Sequence, residues 1–318
     1  MQYRELGPEK LRVSAIGLGG RRLSDIYTDT RDDDSKARAV LDRAIELGVT
    51  LIDTANSYAD GANEEMFGRL LRGRRDRVVL ATKFGIVKHA DGSRGVNGRP
   101  DYAIACCEES LGRLRTDVID LYYLHRVDPA VPIEDTVGAM VRLREQGKIR
   151  HVGLSEAGPE ILRRAAAVHP VAALQSDYSL WVRGHEAEVL PACAALGIGF
   201  VAYYPLGKGF LAGAIRAIDS LGPEDGRRRD SRFEDDNIGS HLERLTALKK
   251  IADAMGCTVG QFALAWILAH GPGFVAIPGT SRVAHLEANA AAADIALSGD
   301  DMARIDAVFP REAASAAS

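Results

Sequence analysis

The chain has 318 residues, 46% of them hydrophobic and 26% charged, enough apolar material for one large barrel or two ordinary domains. Its 40 lysines and arginines against 44 aspartates and glutamates leave a formal charge of −4, a balance that argues against nucleic acid or an acidic membrane surface as a partner. The four cysteines (Cys106, Cys107, Cys193 and Cys257) show neither CxxC nor Cys/His spacing; they read as packed thiols of a reducing compartment, and no metal site is expected.

The first residues, Met1 to Leu6, lack the apolar core of a signal peptide, and no later run has the length of a membrane span. A cytoplasmic location is expected. Residues 2–6 and 11–13 flank Gly7-Pro8-Glu9-Lys10, a turn that predicts an opening hairpin. Eight apolar strand patterns follow, at 15–18, 50–53, 78–83, 118–125, 152–155, 172–175, 199–203 and 274–277. Helical periodicity falls between and after them, at 35–47, 63–71, 102–114, 133–146, 160–168, 186–196, 241–255, 259–270, 283–293 and 300–309. Gly48, Gly147 and Gly197 each follow a helical run and suit the left-handed position that ends a helix. Alternating β and α units imply a parallel sheet with helices outside, and eight of them imply closure. The expected fold is α/β, a (β/α)8 TIM barrel with an N-terminal β-hairpin, one domain over 1–318 with a frayed tail at 313–318. The charge-dense segment 219–240 reads as a long loop, of the kind that forms lids and binding loops.

Three of the strand patterns end on ionisable residues: Asp53, Lys83 and His125. Tyr58 follows the first of them in a polar turn. In a parallel barrel all strand C-termini open on one face, where such enzymes keep their chemistry, so these four side chains are expected to converge. A phenol titrates near pH 10, too high for efficient proton donation at neutral pH. Lys83 is expected to lower that pKa, Asp53 to keep the lysine charged and oriented, and His125 to hydrogen-bond a carbonyl oxygen beside Tyr58. Singly, each residue has an ordinary explanation: a loop cap, a surface tyrosine, a solvated strand end, a satisfied histidine. Four at matching strand ends favour the convergent reading.

Gly17-Leu18-Gly19-Gly20 lacks the third glycine of a dinucleotide-binding GxGxxG turn. Pro205-Leu206-Gly207-Lys208-Gly209 follows the seventh strand, and Ile277-Pro278-Gly279-Thr280-Ser281-Arg282 the eighth. Barrels often hold phosphate at those two positions. Two Gly/Pro turns there, each carrying a cation, point to an anionic ligand with more than one phosphate.

In order along the chain, Asp53-Thr54-Ala55-x-x-Tyr58, Ala81-Thr82-Lys83, Asp120-Leu121-Tyr122-Tyr123-x-His125, Gly147-Lys148-Ile149-Arg150-x-Val152-Gly153-Leu154-Ser155, Gln175-Ser176-x-Tyr178-Ser179 and Ile277-Pro278-Gly279-Thr280 resemble the aldo-keto reductase family over essentially its whole length. Tyr122-Tyr123-Leu124-His125-Arg126-Val127-Asp128-Pro129 is similar to its bacterial and plant branches. The resemblance implies an NADPH-dependent reduction of small aldehydes and ketones, with Tyr58 as proton donor, Lys83 and Asp53 tuning it, and His125 positioning the carbonyl. It further implies that Ser155 and Gln175 bind the carboxamide and that Tyr203 stacks on the nicotinamide. Leu206, Gly207, Lys208, Gly209 and Leu211 match the pyrophosphate loop, Gly279, Thr280, Ser281 and Arg282 the 2′-phosphate site, and Asn289 an adenine contact. Gly19, Gly20, Asp53, Tyr204, Pro205 and Pro278 complete the implied cofactor site. Arg282 is the main reason to expect NADPH over NADH, since a guanidinium suits a phosphate dianion.

The sequence departs from the family pattern at Leu124, at Tyr204 where a serine is usual, at Ala288, and at Gly20-Arg21-Arg22. Leu124 and Tyr204 are expected to make the pocket floor less polar and to alter the pyrophosphate clamp. The substrate pocket is expected to be lined by Arg21, Tyr27, Leu124, Trp181 and parts of 219–240. Trp181 reads equally well as a packing residue, and Arg21 and Arg22 as solvated or as attracting an anionic substrate. The alternatives to carbonyl reduction are a specialised dehydrogenase reducing a C=N or C=C bond of one bulky substrate and a nucleotide-sensing regulatory subunit.

Overall fold

The computed structural model describes residues 1–24, 34–89, 91–213, 215, 221–222, 225–230, 233 and 235–311. The chain opens with the expected hairpin, β1 (Tyr3–Leu6) against β2 (Leu11–Ser14). Eight strands then form one parallel sheet: β3 (Leu18–Gly19), β4 (Leu51–Asp53), β5 (Val79–Phe84), β8 (Ile119–Leu124), β9 (Ile149–Ser155), β10 (Val171–Asp177), β11 (Gly199–Tyr203) and β12 (Phe274–Ala276). All eight expected strands are present and each neighbours the next in chain order. The edges meet. Ile16 bridges Ala276 in parallel, the Gly17 amide donates to the Ala276 carbonyl at 2.8 Å, and the sheet closes into a barrel.

Helices α1 (Ser35–Glu46), α2 (Ala62–Leu70), α3 (Pro100–Leu114), α4 (Ile133–Glu145), α5 (Pro159–Val168), α6 (Val189–Leu196), α8 (Val259–Leu268), α9 (Val283–Ala291) and α10 (Gly299–Val308) lie within a few residues of the periodic stretches. The sequence marks several of their ends physically. Pro100 and Pro159 open α3 and α5, where the missing N–H costs nothing. Thr258 with Gln261, and Ser298 with Asp301, form reciprocal capping boxes at α8 and α10. Gly48, Gly147 and Gly197 take positive φ of 77°, 74° and 66° as expected. One expectation is corrected and one element is added. Helix α7 (Asp235–Ala254) begins before residue 241, so the end of the presumed loop is helical. A second antiparallel hairpin, β6 (Ile86–Lys88) with β7 (Arg94–Val96), rises from the C-terminal end of β5. Among the described residues no single helix is long and apolar enough to cross a membrane.

The core has two compartments. Between sheet and helices lies a large apolar layer that includes Ile52, Phe67, Leu80, Phe84, Tyr122, Leu154, Phe200 and Trp266. Inside the barrel, Leu51, Ala81, Leu121, Tyr123, Ala173, Val201 and Val275 pack with Leu6, Leu11 and Val13, so the N-terminal hairpin stoppers the barrel's lower end. Strand alternation sorts the two sets. The interior is crowded enough to require Gly153: a Cβ there would sit 2.4 Å from the Tyr123 ring.

Candidate active site

The upper barrel layer is where the strands turn polar. Asp53 ends β4, Lys83 is the penultimate residue of β5, His125 immediately follows β8, Ser155 ends β9, and Gln175 lies on β10. All five are buried. Lys83 Nζ donates to Asp53 Oδ1 at 2.5 Å and to the Thr54 carbonyl at 2.8 Å, and Gln175 Nε2 donates to Asp53 Oδ2 at 2.8 Å. The carboxylate is therefore held from two sides. An ammonium has three N–H groups, which leaves one beyond these two contacts.

Tyr58 arrives because β4 goes on pairing after its last regular residue. The Thr54 amide donates to the Ala81 carbonyl and the Asn56 amide to the Lys83 carbonyl, and Tyr58 then opens a 3-10 turn (Tyr58–Gly61). Ala59 and Asp60 in that turn both have left-handed φ, 50° and 51°. Lys83 Nζ lies 5.2 Å from the Tyr58 ring centroid, and the His125 ring meets that ring edge-on at 6.0 Å. The four expected side chains are thus brought together.

Their electrostatics correct one expectation. Lys83 does pull the Tyr58 pKa down, but burial outweighs it and Asp53 opposes it, so the phenol stays above its ordinary value. The group is a protonated acid at neutral pH. The pKa of His125 is pushed down to about 2, first by burial and then by Lys83, Arg126, Arg21 and Arg94. Its imidazole is neutral, with one N–H to give, and its Nδ1 is buried without a hydrogen-bond partner.

Not every expected pocket residue reaches the site. Leu124 is 1% exposed and packs in the outer sheet–helix layer, because on β8 it alternates with inward-facing Tyr123. Trp181 packs into the core: its ring lies 4.2 Å from that of Phe210, tilted by 33°, and its Nε1 lies 3.1 Å from both ring nitrogens of His241. It also backs Gly207, where a Cβ would come within 2.9 Å of its ring. Tyr27 lies outside the described residues, as do 219–220, 223–224, 231–232 and 234 of the expected loop. Arg21 does reach the centre, its Cζ 5.8 Å from the Tyr58 centroid and its Nη1 2.6 Å from the Tyr204 hydroxyl. Two cations escaped the sequence reading. Arg126 Nη1 donates to the His125 carbonyl (2.6 Å) and Ser155 Oγ (3.1 Å), and its Nη2 to the Tyr203 hydroxyl (3.3 Å). Arg94, on β7, adds to the field at His125. The signal for Arg126 was its place one residue past the strand-end histidine.

The turns after the seventh and eighth strands suit an extended anionic ligand. Gly207, Lys208 and Gly209 all have positive φ, at 54°, 55° and 99°, in a tight 3-10 turn after Pro205 and Leu206. The Gly207, Gly209 and Leu211 amides are used within this loop, so the positive charge it offers is that of the Lys208 side chain. Lys208 Nζ is held by Asp230 Oδ2 at 2.5 Å, and Arg227 Nη1 donates to the Lys208 carbonyl. After β12, Pro278 and Gly279 lead to Thr280, Ser281 and Arg282, which sit at the N-terminus of α9; Thr280 Oγ1 accepts from the Arg282 amide. Asn289 is buried on the same helix. Gly19 and Gly20 are explained by packing: a Cβ would lie 2.8 Å from the Ile277 carbonyl oxygen at the first and 2.5 Å from Phe67 at the second.

A closed parallel barrel with an ionisable quartet at its C-terminal face defines an enzyme of the barrel class. The family model described as "Aldo/keto reductase family" matches residues 15–309. The chain is 38% identical over 307 residues to a "Probable aldo-keto reductase 1" of Glycine max, covering 96% of this chain and 88% of the relative. Among solved structures, the glycerol dehydrogenase of Gluconobacter oxydans superposes with a TM-score of 0.90 at 26% identity, over 99% of this chain and 97% of that one. An aldo-keto reductase from Klebsiella pneumoniae in complex with NADPH is 34% identical with a TM-score of 0.76, over 99% and 98% of the two chains. The chain belongs to the aldo/keto reductase family and is an oxidoreductase.

Proposed function

We propose that the protein is an NADP-dependent reductase of aldehyde and ketone carbonyls in which Tyr58 donates the proton. The observation that carries this reading is the buried Lys83–Asp53 pair, with Lys83 Nζ 5.2 Å from the ring of a protonated Tyr58 and a neutral His125 edge-on to that ring. The Klebsiella enzyme was solved in complex with NADPH, and the same cofactor, when bound here, would supply the hydride. Its fit is supported by buried polar groups facing the barrel mouth, Ser155 and Gln175 for a carboxamide, and by Lys208 and the Arg282-headed N-terminus of α9 for phosphates. Because Ser155 Oγ accepts from Arg126, its own proton remains free to donate.

The chain's own work is positioning and proton supply. A substrate oxygen held between the Tyr58 hydroxyl and the His125 N–H is polarised by two neutral donors, and the phenol proton moves to that oxygen as negative charge builds on it. Lys83 stabilises the phenolate left behind, and Asp53 with Gln175 fixes the lysine. Leu124 and Tyr204 are the departures from the family pattern that would suit a specialised C=N or C=C substrate, and Leu124 packs in the outer sheet–helix layer, away from the pocket.

The test is NADPH oxidation with a panel of aromatic aldehydes, comparing the wild type with Tyr58→Phe at equal cofactor saturation. Loss of most turnover with cofactor binding retained supports the tyrosine acid. Equal rates in the two proteins would sink it.

A further inference from the structure

Two adjacent tyrosines at the end of β11 each hold an arginine at the reacting centre. Tyr203 accepts from Arg126, Tyr204 accepts from Arg21, and their rings meet edge-on at 5.1 Å. Tyr204 does this from a left-handed backbone, φ 47°, a conformation that a bulky residue holds only where its surroundings enforce it. Strain of this kind clusters at ligand clamps. Here its visible product is the placement of the Arg21 guanidinium beside Tyr58.

The charge balance is lopsided. Lys83 is matched by Asp53, but the contacts of Arg126 are to a carbonyl and two hydroxyls, and those of Arg21 are to a hydroxyl and a ring. Neither meets a carboxylate among the described residues. Arg94 adds a third positive charge from the β6–β7 hairpin. The carboxylates in reach of Tyr203 belong to Glu156 and Asp177, and Glu156 is itself tied to the Asp177 amide and lies 3.9 Å from His185. A guanidinium has five N–H donors in a fork matched to a carboxylate, and Arg126 has committed three donor contacts.

We propose that this enzyme selects carbonyl substrates bearing a negative charge, a carboxylate on the same small molecule as the aldehyde or ketone, which the guanidiniums of Arg126 and Arg21 bind while Tyr58 and His125 take the carbonyl oxygen. The inference rests on the carbonyl-reductase reading above. It assigns the two arginines, rather than the apolar walls, as the source of substrate discrimination.

The experiment compares 4-formylbenzoate with its methyl ester, which share the reacting group and differ in charge. With NADPH the wild type is expected to favour the acid in kcat/KM by about tenfold or more, the range of one charge-assisted hydrogen bond. Arg126→Met and Arg21→Met should each lower the acid-to-ester ratio, mainly through KM for the acid, and Arg126→Lys should recover part of it. Calorimetric binding of 4-formylbenzoate and its methyl ester to the NADP+-loaded protein, which has no hydride to give them, reads the same preference without turnover. A wild type that reduces the ester as well as the acid overturns the inference and leaves the reductase reading standing. An Arg126→Met protein that loses NADPH affinity by the factor it loses for the acid also overturns it, because the arginine then serves the cofactor. Failure to oxidise NADPH with either aldehyde removes the reductase reading, and the inference falls with it.

Discussion

Lys83 and Asp53 meet at 2.5 Å with side chains 0% and 4% exposed, a salt bridge enclosed in the top of the barrel. Enclosure makes the pair a poor source of stability as a unit, because desolvation offsets the attraction, but breaking it strands a buried charge. Asp53→Asn should therefore destabilise the fold by about 3–5 kcal/mol as well as slow the reaction. Urea unfolding at neutral pH measures it, and a change below about 1 kcal/mol would mean that water reaches Lys83.

His125 carries a pH signature. Its folded pKa of about 2 lies below the ordinary 6.5, so between those values the unfolded chain binds the extra proton. The contribution of His125 to stability is complete above pH 6.5 and is lost as the pH falls below it, at up to about 1.4 kcal/mol per pH unit. Unfolding free energies of the wild type and His125→Asn, compared from pH 7 to pH 4.5, should show the wild type losing stability more steeply. Parallel curves would show that His125 is protonated in the fold.

Lys208 is held by Asp230 at 2.5 Å, where a phosphate would compete for the same ammonium. Asp230→Asn should tighten NADPH binding by a few-fold, the scale of a partly exposed ion pair, and Lys208→Ala should weaken it. Fluorescence titration of NADPH reads both. An unchanged Kd in Lys208→Ala would remove the lysine from the proposed phosphate site.

Gly153 and Tyr123 share one space inside the barrel, with a hypothetical Cβ at 153 only 2.4 Å from the ring. Gly153→Ala should cost about 1–3 kcal/mol through overpacking, and Tyr123→Leu in the same chain should restore part of that loss. Thermal unfolding of the two single variants and the double variant tests the coupling; additive losses would show that the ring moves aside freely.

The barrel was legible because strands buried on both faces read as apolar runs, and helices flanking them keep a 3.6-residue period. The β6–β7 hairpin was missed because its strands are three residues each and partly exposed, although Asp91-Gly92 between them is a turn dipeptide. Leu124 was misplaced for a reason the sequence contained. Side chains alternate along a strand, so a residue between Tyr123 and His125 faces the opposite way.

Asp53, Lys83 and His125 could be read from one dimension because a parallel barrel carries every strand end to the same face, whatever the separation along the chain. The direction of the Tyr58 pKa could not, since it is the balance of burial against Lys83 and Asp53 and depends on how much protein surrounds the ring. The pairing of Arg21 with Tyr204, 183 positions apart, and of Arg126 with Tyr203 likewise exists only after closure. Closure brings the loops after β3, β8 and β11 to one rim. Local periodicity decides which segments become strands, whereas the charge balance at their ends is set by through-space distances.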